Sequence, residues 1–99
     1  MILLTKANRD ALPPLYSQEN NPQAPAVVKF FDPTGSWTWY ASEFDGEDRF
    51  FGLVDGFEKE LGYFSLSELQ AYRGRLGLPL ERDRHFHPTP LTDLLSRER

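Results

Sequence analysis

The segment from Ala26 to Gln70 holds both tryptophans and nearly all of the aromatic rings, set out as short apolar runs that Gly, Asp and Pro interrupt. Apolar runs of that length between turn-forming residues form strands, and each buried aromatic ring removes roughly 150 to 250 Å² from water. This segment therefore specifies the core. It is also the most acidic part of the chain, so the sheet and the surface that meets a partner come from one stretch.

Four runs, residues 27–31, 37–44, 49–54 and 60–64, are rich in β-branched and aromatic residues. The connections DPTGS, DGED and DGFEK between them are short, which predicts an antiparallel meander. In the second run Trp37, Trp39 and Ala41 alternate with Thr38, Tyr40 and Ser42, so the tryptophan side is expected to face the core. The third run is apolar on both sides, as in a central strand, and Gly52 within it marks a bulge or close packing. An extended stretch over 76–86, interrupted by Pro79, could add an edge strand.

Three helix starts are legible. Thr5 can cap KANRDAL, which Pro13-Pro14 must stop. Ser65 and Glu68 have capping-box spacing ahead of a helix over 66–73, with Gly74 placed to terminate it. Thr89-Pro90 is the third start, opening LTDLLSRER with Leu91, Leu94 and Leu95 as its docking stripe. Residues 16–25 mix Pro, Asn and Gln without apolar period and are expected to form an exposed connection that tolerates change. The expectation is one α+β domain over residues 1–99. It has an antiparallel meander of four or five strands, with two or three short helices packed on one face, the Trp37 and Trp39 side.

A chain of 99 residues has room for a single core. It contains no cysteine, which excludes a disulfide framework, a thiolate metal site and a cysteine nucleophile, and fits a cytoplasmic protein. The apolar start at Ile2, Leu3 and Leu4 ends at Lys6, far short of a signal-peptide core, and no membrane segment is expected. The formal net charge of −4 is unevenly spread. Between Glu43 and Glu60 lie seven acids, Glu43, Asp45, Glu47, Asp48, Asp55, Glu58 and Glu60, against Arg49 and Lys59. From Arg73 onward six arginines face four acids.

His85-Phe86-His87 is the one cluster with metal-ligand chemistry, since on a strand both imidazoles point to one side. It lacks further ligands, because Glu81 and Asp83 sit beside Arg82 and Arg84, and no metal or other cofactor is expected. Carboxylates are too numerous for any pair to be specific as an acid-base couple. The serines lack a nucleophile elbow and Gly52, Gly56 and Gly62 form no phosphate fingerprint, so no catalytic residue is assigned. Trp37, Trp39, Tyr40, Phe50, Phe51, Tyr63 and Phe64 could stack bases if exposed, with Arg73, Arg75, Arg82 and Arg84 as a basic patch. The core needs those rings, however, and direct nucleic-acid contact is not expected of an acidic chain.

Taken together, the segments LLTKANRDALPPLY, AVVKFFDPTGSWTWYASEFD, FFGLVDGFEKELGYFSLSEL and LGLPLERDRHFHPTPLTDL resemble the small bacterial family catalogued as domain of unknown function 2958. The resemblance covers almost the whole chain, and SWTWY and ELGYFSLSEL are its specific parts. It implies carriage on plasmids, integrative elements and phages, hence an accessory role in transfer, replication or defeat of host defence. It supplies no catalytic residues. The expected function is a non-enzymatic protein that binds a host or element-encoded partner, as an anti-CRISPR or anti-restriction factor does. The seven acids from Glu43 to Glu60 would occupy a basic nucleic-acid-binding surface on that partner. Alternatives from other classes are an accessory binder of single-stranded nucleic acid and a metal-dependent enzyme at His85 and His87.

Overall fold

Backbone pairing follows the apolar runs. The structure, a computed structural model, describes residues 2–97. Its strands are β1 (Pro25–Ala26), β2 (Val28–Phe31), β3 (Thr38–Phe44), β4 (Arg49–Asp55), β5 (Lys59–Ser65), β6 (Glu81–Arg82) and β7 (Thr89–Pro90). The helices are α1 (Lys6–Ala11), α2 (Leu66–Ala71) and α3 (Leu91–Ser96), and the C-terminal end of the expected last helix, residues 98–99, lies outside the described residues. Five strands form an antiparallel sheet in the order β5-β4-β3-β2-β6, while β1 and β7 make a separate two-residue ladder. The α+β architecture and the meander through β2 to β5 are those expected, and the extended stretch contributes β6 at the far edge.

Both faces of the sheet are covered. Val28, Phe30, Trp39, Ala41, Phe44 and Phe50 form one face, and Leu3, Leu4, Leu12, Leu66 and Leu69 pack on it from the N-terminal segment and α2. Trp37 is only half-buried at the end of this row, its ring against Trp39 and Phe57. The opposite face carries Tyr40, Phe51 and Leu53, and there Leu91 and Leu94 of α3 dock. The helices are therefore divided between the faces, rather than gathered on the tryptophan side. The apolar residues of β4 on both faces demand cover on each side, and α3 supplies the second.

A bulge in β3 assigns side chains to these faces. Ala41 pairs with Gly52, but Glu43 pairs with Phe51 and Phe44 with Phe50, so Ser42 is the extra residue. Without that bulge, in a strand alternating regularly through Ser42, Glu43 would point into the tryptophan-side core and Phe44 away from it. With it, Phe44 stacks on Phe50 at 4.6 Å between centroids. The Ser42 hydroxyl, fully buried, donates to the Pro25 carbonyl. Gly52 opposite is a close-packed position, because a Cβ there would overlap the Tyr40 carbonyl oxygen.

Helix ends follow the cap residues in two cases out of three. Thr5 and Asn8 form a reciprocal capping box on α1, and the extended Leu12 before Pro13 ends it. Ser65 accepts from the Glu68 N–H at the start of α2, while its hydroxyl donates to the Glu68 carboxylate. That helix stops at Tyr72, whose backbone is extended, two residues short of Gly74. Gly74 is needed elsewhere, since a Cβ on it would collide with the Asp32 carboxylate. Thr89 does not cap α3. It pairs with Ala26, its hydroxyl donates to the His87 carbonyl, and the first helical N–H, that of Leu91, is satisfied by the Ala24 carbonyl.

Candidate functional site

The seven acids do not form one surface. Glu43 is buried, 4% exposed, because the bulge turns it under residues 16–18. There its carboxylate accepts from the N–H groups of Tyr16 at 2.8 Å and Gln18 at 2.9 Å. Tyr16 adopts a left-handed backbone (φ 70°), a conformation that costs a non-glycine residue about 1 to 2 kcal/mol. The Glu43 bonds hold it there. The connection over 16–25 is accordingly pinned at its start, and Glu43 leaves the partner-binding set because a carboxylate enclosed by its own chain meets no partner.

Asp45, Glu47 and Asp48 occupy the β3–β4 turn, where Gly46 takes the positive φ of 89°. Asp45 Oδ1 accepts from the N–H groups of Glu47, Asp48 and Arg49, and these bonds, that of Glu47 foremost, hold its carboxyl below the usual range. Asp48 accepts from the Ser67 N–H at 2.8 Å and its hydroxyl at 3.1 Å, joining the turn to α2. Two of these acids thus serve the turn itself. Asp55, Glu58 and Glu60 lie at the other end of β4, whose seven residues at about 3.3 Å each separate the two groups by roughly 20 Å.

At that second end exposed rings join the acids. Phe57 is 88% exposed at the tip of the β4–β5 hairpin, with its ring 5.3 Å from that of Trp37. Glu58 and Glu60 beside it are exposed. The lysine between them is occupied, its Nζ donating to the carbonyls of Leu94 and Arg97 at the C-terminal end of α3. Along β5, Leu61 and Tyr63 are also about half exposed, at 47% and 51%.

A groove lies on each side of β5. One of about 400 Å³ is floored by Phe51, Leu61 and Tyr63, between the 16–24 connection and α3. The other, of about 370 Å³, runs over Gly62 between Phe57, Trp37 and Glu60, where a Cβ on Gly62 would meet nothing. In the first groove burial, aided by Tyr16, Glu43 and Glu19, pushes the Tyr63 phenol up. The residues at Phe57, Leu61 and Tyr16 were not singled out by motif. For Leu61 the signal is topological: the last strand of a meander lies at the sheet edge, where its side chains lack a neighbour on one side.

A family model described as a protein of unknown function, DUF2958, matches residues 3–97. The chain belongs to that family. No curated protein and no solved structure matches it. DUF2958 membership spans nearly the whole fold described above, including both ends of β4 and all of β5.

The other constellations are dispersed. His85 and His87 are exposed in a turn and coil after β6 rather than on a strand, and among the described residues no three His, Cys, Asp or Glu gather as a metal site. Of the rings named for stacking, Trp39 and Phe50 are buried, at 7% and 0% exposed, because the tryptophan-side core requires them. Arg73 donates to the carbonyls of Gln70 and Tyr72, and Arg82 to those of Ile2 and Leu3, so these two arginines tie segments of the chain together. Asp83 pairs with Lys29 at 3.7 Å. Among the described residues no helix is long and apolar enough to cross a membrane.

Proposed function

We propose that this is a non-enzymatic binding protein that engages a protein partner through the β4–β5 hairpin and the adjoining strand β5. The observation that carries this reading is Phe57, almost fully exposed between Trp37 and the carboxylates Glu58 and Glu60. Exposed aromatic residues that become buried on binding supply most of the affinity of protein interfaces. Carboxylates around them add little affinity, but steer encounter with a basic surface and reject an acidic one. The partner is a protein with a basic, nucleic-acid-binding face, and covering that face would inhibit it, as an anti-defence factor does.

Capture of the partner on immobilised protein, from cells in which it acts, tests this reading. Phe57→Ser should abolish capture with the fold retained, and a soluble polyanion should displace the partner from the unaltered protein. Capture that survives Phe57→Ser and is indifferent to the polyanion would refute it.

A further inference from the structure

The backbone of β5 is set up to receive another strand. The Gly56 N–H donates to the Glu58 carbonyl and the Leu66 N–H to the Asp48 carbonyl, one at each end of the β4–β5 ladder. Both bonds have the phase of the pairs Val54↔Glu60, Gly52↔Gly62 and Phe50↔Phe64. Alternation along an antiparallel pair then turns the N–H and C=O groups of Leu61 and Tyr63 away from β4, to the outer edge of the sheet. Natural sheets usually shield such an edge with a proline, a bulge, an outward lysine or a covering element. β5 has seven residues with no proline and no bulge in its register with β4, and Lys59 is turned to α3. The opposite edge, β6, is two residues long.

We propose that an extended basic segment of the partner pairs with the outer edge of β5 as an added strand. The proposal rests on the protein-partner reading above and specifies its mode. Successive side chains of an added strand point to opposite faces, and a groove lies ready on each face of β5: one over Leu61 and Tyr63, the other over Gly62. The charge selects the occupant. Glu58 and Glu60 are exposed at the hairpin end and Glu19 is exposed on the rim of the first groove, whereas Lys59 is held by carbonyls. Arg49, exposed over the Tyr63 ring, is the cation at the far end, so an acidic segment would meet like charge at the hairpin end and at Glu19, while lysines or arginines on the added strand meet carboxylates there.

A synthetic peptide of about eight alternating lysine and valine residues, long enough for one strand, is the probe. On binding, hydrogen exchange of the Leu61 and Tyr63 amides should slow, while the amides of β2 are unaffected. N-methylation of alternate peptide residues, which removes the donors facing β5, should weaken binding roughly tenfold for two lost bonds. A glutamate-valine peptide should not bind, and Glu58→Gln with Glu60→Gln should weaken the lysine peptide. No binding of the lysine peptide at low salt, or binding without slowed exchange at Leu61 and Tyr63, would overturn strand addition. So would a dimer in sedimentation that protects those two amides without peptide, since a second copy would then hold the edge. Failure of these tests leaves the Phe57 capture result untouched, so the mode and the partner reading fail separately.

Discussion

Single residues carry contradictory demands in this protein, and Asp32 shows how they are met. It is 6% exposed and accepts from the Thr34 N–H and hydroxyl and from the Tyr72 hydroxyl, joining the β2–β3 turn to the end of α2. The Thr34 N–H bond above all holds its carboxyl below the ordinary value, while burial and the Asp32 acceptor push the Tyr72 phenol up. A carboxyl depressed on folding stabilises the native state above its unfolded pKa, near 3.9, and that contribution disappears as pH falls through the folded value. Acid unfolding followed by circular dichroism should therefore lose part of its pH dependence below about pH 4 in Asp32→Asn. Two glycines of neighbouring strands should respond oppositely. Gly52→Ala drives a methyl into the Tyr40 carbonyl and should lower stability by roughly 1 to 3 kcal/mol, whereas Gly62→Ala, facing open space, should raise it by about 0.5 kcal/mol. Thermal melts of the pair check this.

At the level of elements, local signals were legible where the cap or turn is made by neighbours in sequence. Thr5 and Ser65 cap α1 and α2 as their spacing suggests, and Ser65→Ala should cost roughly 1 kcal/mol in chemical denaturation. The start of α3 at Leu91 was legible but its cap was not, because the groups that satisfy it, the Ala24 carbonyl and the β1 strand, are more than sixty residues away along the chain. Nor was its face, since the stripe of Leu91, Leu94 and Leu95 fits either side of a sheet that is apolar on both. Leu94→Ala should cost about 2 to 5 kcal/mol, as truncation of a side chain only 2% exposed does. The acidic segment is continuous in sequence but not in space, because β4 separates its two halves by the length of a strand. The exposed edge of β5 was implicit in the meander, but no residue type announces it.

At the scale of the whole molecule, the acids from Asp45 to Glu60 fall at two sites with separate duties. Asp45 and Asp48 organise a turn and anchor α2, while Glu58 and Glu60 project beside the exposed Phe57. Neutralising each pair should therefore give distinct results. Glu58→Gln with Glu60→Gln should leave stability within about 0.5 kcal/mol and slow association with a basic partner, with a weaker dependence on ionic strength. Asp45→Asn with Asp48→Asn should instead lower the melting temperature and speed exchange of the Ser67 amide, whose acceptor is Asp48. Surface plasmon resonance and hydrogen exchange distinguish the two. The extra residue at Ser42 also bears on how such a chain can vary. A strand is read two residues at a time, and Ser42 shifts the reading frame between its halves. Substitutions along β3 alter one position, whereas ironing out the bulge with Ser42 kept in the strand would exchange Glu43 with Phe44, and loss of Ser42 itself would leave both on their present faces in regular alternation. A shortening by one residue is thus compatible with the side-chain pattern of β3, and what it would forfeit is the Ser42 bond to the Pro25 carbonyl that ties this strand to β1.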